Sequence, residues 1–378
     1  MNRKILLFLI FFLVSPNYSF SLDTKAKQAI IYDLETKTVI YEKNADDLMS
    51  PSSMSKLMTV YYTFKKLSEG EISLDDTFKV SKKAWKKGGS RMFLNPNSYV
   101  TIDELLKGII IQSGNDACIT IAEGFSGTEE NFASEWNQLA HEIGLNNSNF
   151  TNSTGWPDPD HLMTARDIMQ LSVRTIEDFP ELYKLYSEKE FTYNEIRQVN
   201  RNPLLFNSKY TDGLKTGHTS LGGYGLSASA IKNNRRIILV INGLESNNDR
   251  KKESKRLMDA AFFQFKNFKV LNKTEKIEKI NVWGGVKGKL SIYSKDNLSI
   301  TIPSLLQKKI KVLIQYSTPI FAPIKKDDIV AKLVVKNGND ILKEFNLMAE
   351  EDIEKTNFLN LVILKLKYLI FGESIYKN

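Results

Sequence analysis

Strand-like patterns stand at both ends of the stretch from residue 29 to residue 242, and helical patterns fill its middle. Ala29-Ile30-Ile31-Tyr32 and Thr38-Val39-Ile40-Tyr41, β-branched and aromatic and separated by the polar Asp33 to Lys37, predict a hairpin. Gly225 to Ala230 and Arg236 to Ile241 predict a second strand pair turning at Asn233-Asn234. Between them the period changes. Met54, Leu57, Met58, Tyr61, Phe64 and Leu67 recur at helical spacing across 51–68, after Pro51 and Ser52, which suit a helix start. Further helical patterns cover 102–111, 116–123, 129–143 and 164–175, and another runs from Asp249 to Phe265. Such a chain closes a sheet only by pairing strands remote in sequence. The prediction is an α+β domain, residues 22–270, with an antiparallel sheet and helices packed on it.

The flanking segments read differently. Arg3 and Lys4, the apolar Ile5 to Val14 and the small residues Ser19-Phe20-Ser21 predict an export signal over 1–21, cleaved after Ser21. Short strands at 279–282, 298–302, 310–314 and 329–335, separated by Gly, Pro and Asp turns, predict a small β-sandwich over 271–350. In the tail, 351–378, apolar residues from Phe358 to Phe371 dominate, while Asn357, Asn360 and Lys367 fall on one helical face. An amphipathic helix lying on a membrane surface is expected.

Charge and cysteine content narrow the function classes. The formal charge of +8 falls to +6 without Arg3 and Lys4. That suits an anionic wall polymer or membrane surface; scattered lysines without a binding motif argue against nucleic acid. The single cysteine, Cys118, forms no internal disulfide and reads as a small buried hydrophobe in Ala117-Cys118-Ile119. His141, His161 and His218 lack metal-ligand spacing, so neither a metal nor another cofactor is expected.

Three short strings carry chemistry. Ser-x-x-Lys occurs at 53–56, 229–232 and 374–377, but only Ser53 and Lys56 fall on the first turn of a predicted helix, where i, i+3 spacing puts hydroxyl and amine on one face. A serine needs a neighbouring base to become a nucleophile, and Lys56 serves if burial and Lys215 lower its pKa. Ser113-Gly114-Asn115 joins two predicted helices, a rigid place for a proton-relaying hydroxyl and an amide-binding side chain. Lys215-Thr216-Gly217, followed by His218 and Thr219, sets an ammonium, hydroxyls and open backbone on a strand, a pattern suited to a carboxylate.

In this order the three motifs resemble the penicillin-binding proteins and serine β-lactamases. Pro51 to Thr59, Gly88 to Leu94, Ser113 to Cys118, His161 to Asp167 and Asp212 to Thr219 resemble, more narrowly, the low-molecular-mass serine-type D-alanyl-D-alanine carboxypeptidases (peptidase S11). The resemblance covers roughly residues 25 to 270, with the β domain and tail matching in layout. It implies that Ser53 attacks the bond between the terminal D-alanines of a peptidoglycan stem peptide and that Lys56 is the general base. Ser113 and Lys215 would pass a proton to the leaving nitrogen, and Asn115 would hold the substrate amide. Lys215, Thr216, Thr219 and Arg250 would grip the carboxylate beside Gly217, and the N–H groups of Ser53 and His218 would form the oxyanion hole. β-Lactams would acylate Ser53 as substrate mimics. Asp167 is expected to fix a loop or cap a helix rather than activate water. A cross-link-cutting DD-endopeptidase, a weak β-lactamase and a wall-binding scaffold are the alternative readings.

Overall fold

In the computed structural model, residues 22–273, 275 and 277–372 are described. The expected export signal and the Ser374–Lys377 string lie outside the described residues. Five strands form one antiparallel sheet in the order Thr38–Lys43, Gln28–Asp33, Arg235–Leu244, Gly223–Lys232, Thr211–Thr219. The amino-terminal hairpin thus sits beside strands some two hundred residues away, as the distribution of patterns requires. Asn233 and Asn234 adopt φ of 52° and 59° and close the two-residue turn between Lys232 and Arg235. Left-handed backbone at both positions matches strand twist, and Asn tolerates it.

The apolar run 237–241 is explained by burial on both faces of the sheet. Period-two alternation sends Ile30, Ile238 and Val240 into one core and Ile31, Ile237, Leu239 and Ile241 into the other. The first core is filled by the helices Lys56–Ser68, Ile102–Ile110, Asn115–Ser126, Glu129–Glu142 and Ala165–Asp178, and the second by Asn247–Phe263. Thr101, Thr128, Thr164 and Ser246 each cap a helix by accepting a backbone N–H, Thr101 in a capping box with Glu104. One local expectation changes: Ser53 lies in a 3-10 turn, Ser52–Ser55, and the α-helix starts at Lys56. A 3-10 turn eclipses side chains three apart, so Ser53 and Lys56 still share a face.

The second unit contains a two-stranded sheet, Phe265–Leu271 with Leu298–Pro303, and a six-stranded sheet, whose apolar faces enclose Leu271, Ile280, Ile292, Ile300, Leu333 and Leu347. The expected boundary at 270 therefore falls inside a strand that begins two residues after the preceding helix. The two units are joined by a polar knot. Fully buried Asp33 accepts from Arg235 Nε at 2.6 Å, from Thr36 N at 3.1 Å and from Asn267 Nδ2 at 3.4 Å. Thr36 and Thr301 hydroxyls meet at 2.6 Å, and Lys343 Nζ donates to Thr36 O at 2.7 Å.

The terminal helix Phe358–Phe371 touches the β unit through Tyr368, whose ring meets Trp283 edge-on at 5.3 Å. None of its residues is buried, and Phe358 and Leu369 are 81% and 80% exposed. Among the described residues no helix is long and apolar enough to cross a membrane.

Removing one partner of a buried, hydrogen-bonded ion pair leaves the other charge uncompensated. Asp33→Ala is expected to lower unfolding stability by about 3 kcal/mol. Urea denaturation of the wild type and the variant checks this; unchanged midpoints would show that the knot is dispensable.

Candidate active site

The Ser52–Ser55 turn lies against the strand Thr211–Thr219, and Gly217 permits that approach. A Cβ at Gly217 would stand 2.9 Å from Pro51 O and 3.1 Å from Met54 Cγ. The glycine of the Lys-Thr-Gly triplet therefore works first in packing, letting the strand edge close on the turn that carries Ser53.

Lys56 is fully buried, with its amine 2.9 Å from Ser53 Oγ and 2.8 Å from Asn115 Oδ1, and it also donates to Thr154 O. Lys215, 2% exposed, donates from Nζ to Ser113 Oγ at 2.8 Å and to Thr216 O at 3.2 Å. Every acceptor is a neutral oxygen. Burial lowers Lys56 from its usual 10.5 to about 8, and burial together with the Lys56 charge holds Lys215 well below its usual value. Cys118, behind Lys56, is pushed up to about 11 by burial and stays a thiol, as the sequence predicts.

Ser113 has φ +64°, an uncommon conformation for serine, in the short link between the helices ending at Ile110 and starting at Asn115. That link is fastened to the segment 88–94. Asn115 N donates to Ser90 O and Asn115 Nδ2 to Gly88 O, while the buried Asp116 carboxylate accepts from the N–H groups of Met92, Phe93 and Leu94.

Two cavities open at Ser53. The first, about 430 Å³, is lined by Ser113, Thr216, Gly217, His218, Tyr224 and Arg250 as well as Ser53. His218 stacks on Tyr224 at 3.9 Å, and Arg250 lies 5.6 Å from the Tyr224 ring centre. Arg250 is only 7% exposed and donates to Asn247 Oδ1 at 2.6 Å and to the carbonyls of Gly217 and Gly225 at 3.4 and 3.5 Å. Its Nε is buried and unpartnered, and among the described residues no carboxylate pairs with it. A buried guanidinium without a counter-ion prepares the cavity for an anion. The second cavity, about 460 Å³, adds Asn115, Thr154, Trp156 and Thr219, with Ser90 and Arg201 shared between the two.

The structure thus gathers Ser53, Lys56, Ser113, Asn115, Lys215, Thr216, Gly217, His218 and Arg250 around one space. Thr219 faces the second cavity, and its hydroxyl meets Ser52 Oγ at 3.0 Å and accepts from Gly222 N at 2.9 Å. Asp167 lies elsewhere, accepting from Asn147 N and Ser148 Oγ, and His161 is buried behind Thr151, pushed down to about 4. Ser229, of the second Ser-x-x-Lys string, contacts Arg236 and lies away from the site. Arg201, whose guanidinium is 2.5 Å from Ser90 Oγ, and Thr154, which acts through its carbonyl, escape sequence reasoning because neither belongs to a string with a chemical signature. Among the described residues no group of three or more His, Cys, Asp or Glu is placed to hold a metal ion.

The chain has the catalytic fold and site layout of a penicillin-binding protein. The D-alanyl-D-alanine carboxypeptidase family pattern matches residues 15–246, and that of the penicillin-binding protein 5 C-terminal domain matches residues 265–355. The chain is 36% identical over 335 residues to D-alanyl-D-alanine carboxypeptidase DacA of Haemophilus influenzae, spanning 87% of this chain and 85% of the relative. It is 35% identical over 345 residues to DacC of Escherichia coli, spanning 89% and 86%. The crystal structure of penicillin-binding protein 5 from Haemophilus influenzae superposes with a TM-score of 0.80 at 34% identity, covering 88% of this chain and 98% of that one. The chain belongs to the D-alanyl-D-alanine carboxypeptidase family.

If Lys56 is the base for Ser53, only its unprotonated amine can accept the proton, so the acylation rate should climb with pH toward a plateau above about 8, falling about tenfold per unit below it. Fluorescent penicillin labelling between pH 6 and 10 reads this limb. Lys56→Arg, with a guanidinium that stays charged, should label at a negligible rate throughout; a flat wild-type profile would exclude Lys56 as the base.

Proposed function

We propose that the chain is a serine-type D-alanyl-D-alanine carboxypeptidase that removes the terminal D-alanine of peptidoglycan stem pentapeptides. The carrying observation is the pairing, within one cavity, of a serine hydroxyl 2.9 Å from a buried amine with an arginine that has no carboxylate partner among the described residues. That cavity suits a peptide C-terminus next to a scissile bond.

On this reading Arg250 and Thr216, with Lys215 behind them, hold the terminal carboxylate. Lys56 takes the Ser53 proton as Oγ attacks the carbonyl of the penultimate D-alanine. The N–H groups of Ser53 and His218 receive the oxyanion, worth about 3 kcal/mol per donor. The proton taken up by Lys56 is passed by way of Ser113, linked to Lys215 at 2.8 Å, to the leaving nitrogen, so that D-alanine departs and Lys56 is again a free amine. Asn115 orients the acyl amide, water activated by Lys56 hydrolyses the ester, and no cofactor is required. A β-lactam enters as a carboxylate-bearing mimic and stays attached to Ser53.

The remaining organisation follows from the same reading. Residues 22–270 carry catalysis, the β unit positions them, and the exposed apolar face of the terminal helix rests on the outer surface of the cytoplasmic membrane after export. Supporting this are six strongly exposed apolar side chains between Phe358 and Phe371.

Mature protein incubated with a pentapeptide muropeptide should release D-alanine, and Ser53→Ala should lower the rate by at least roughly 10³-fold. Arg250→Ala should lower kcat/KM by about 30-fold, ~2 kcal/mol of lost carboxylate binding. A cross-linked dimer supplied alongside measures endopeptidase action; faster cleavage of the dimer than of the monomer would reverse the assignment.

A further inference from the structure

Thr154 reaches Lys56 through its backbone carbonyl, so whatever holds that backbone also holds the amine. Residues 151–157 form a loop without regular secondary structure, and Gly155, at φ +72°, presses it onto the nucleophilic turn: a Cβ there would lie 2.0 Å from Ser52 O. Asn152 closes the loop on itself, its Oδ1 accepting from Thr154 N at 3.1 Å and from Trp156 N at 2.9 Å. A further tie runs out of the loop to a buried carboxylate. Glu129, the first residue of the helix Glu129–Glu142, is only 6% exposed, and its Oε1 accepts from Ser153 N at 3.0 Å and from Ser153 Oγ at 2.7 Å.

The carbonyl of Ser153 is held as well, accepting from Thr59 Oγ1 at 3.0 Å, one turn beyond Lys56 on the same helix. Ser153 is thus fixed at its N–H, its hydroxyl and its carbonyl, and the next residue delivers its own carbonyl to Lys56. On its other side Glu129 meets Lys83 at 3.2 Å, but Lys83 is 48% exposed and is shared with Glu130, so that pair contributes little.

The direction of the Thr154 carbonyl has a chemical consequence. A neutral amine carries two N–H donors and one lone pair, and Lys56 has three oxygen neighbours: Asn115 Oδ1, Thr154 O and Ser53 Oγ. The first two can only accept, whereas the serine hydroxyl can also donate. Donation to Asn115 and Thr154 therefore leaves the lone pair facing Ser53 Oγ, the orientation that proton abstraction requires. Without the Thr154 carbonyl, the amine is free to turn an N–H toward the nucleophile instead.

We propose that Glu129 is a positioning residue for the reaction: by gripping Ser153 it holds the Thr154 carbonyl on Lys56 and keeps the lone pair of the amine aimed at Ser53. This rests on the carboxypeptidase reading, in which Lys56 is the base. The carboxylate acts as a paired acceptor rather than as a charge, so a glutamine, whose Oε1 accepts in the same way, replaces it.

The test measures kcat and KM for an N-acetylated peptide ending in D-alanyl-D-alanine, on the alkaline plateau of the pH profile. In Glu129→Ala kcat should fall about tenfold while KM changes by less than about two-fold, because the alignment of the base is disturbed and the carboxylate grip is not. Glu129→Gln should keep kcat within about two-fold of the wild type. A wild-type kcat in Glu129→Ala, a loss confined to KM, or a glutamine variant as slow as the alanine one overturns the proposal. Should Glu129→Ala fail to fold, Ser153→Ala, which keeps the N–H and loses the hydroxyl, takes its place: a kcat about three-fold lower at unchanged KM supports the proposal, and a wild-type kcat overturns it. A folded wild-type protein that turns over no peptide overturns the carboxypeptidase reading itself, and the role of Glu129 with it.

Discussion

Lys56 and Lys215 are buried beside one another and, among the described residues, bound only to neutral oxygens. Removing an ammonium from water costs several kcal/mol unless it is paired or gives up its proton. Ser53, Ser113, Asn115 and the carbonyls of Thr154 and Thr216 accept hydrogen bonds without neutralising charge, so the site favours amines over ammonium ions. A base able to activate a serine near neutral pH follows from that arrangement. The same electrostatics leave Arg250 in want of an anion, which on the proposed reading the substrate carboxylate supplies.

Holding that arrangement explains much of the fold. Lys56 starts a helix, Ser113 sits in a left-handed link between two others, and Lys215 lies on an edge strand. They converge because the sheet pairs remote segments and because Gly217 lets its strand close on the Pro51–Met54 turn. Asp116, accepting three successive N–H groups of residues 92–94, fixes the opposite wall. The buried Asp33 knot sits across the sheet from this machinery and joins the catalytic unit to the β unit, which carries the terminal helix.

Much of this was legible in the sequence because the candidate catalytic groups are side chains at fixed spacing. Ser53 with Lys56, Ser113 with Asn115 and Lys215 with Thr216 each form a short string, and the strand patterns at both ends required their assembly. Arg201, Thr154 and Trp156 were invisible for physical reasons: they lie in loops, contribute a carbonyl or a surface, and acquire meaning only by proximity. The strand Phe265–Leu271 was hidden because Lys266 and Lys269 interrupt its apolar residues and the preceding helix runs almost into it. Asp340–Ala349 was missed because Asp340, Lys343, Glu344 and Asn346 are scattered among its apolar residues, so neither a continuous apolar run nor a strict alternation marks it.

Two buried lysines share this site with lowered proton affinity. Selective ¹³C labelling of lysine ε-carbons, with Lys56→Arg and Lys215→Arg used for assignment, allows both amines to be titrated by NMR in the mature protein. Lys56 is expected to titrate near 8, and Lys215 to lose its proton well below the usual 10.5. Two resonances that both titrate at or above 10 would contradict it.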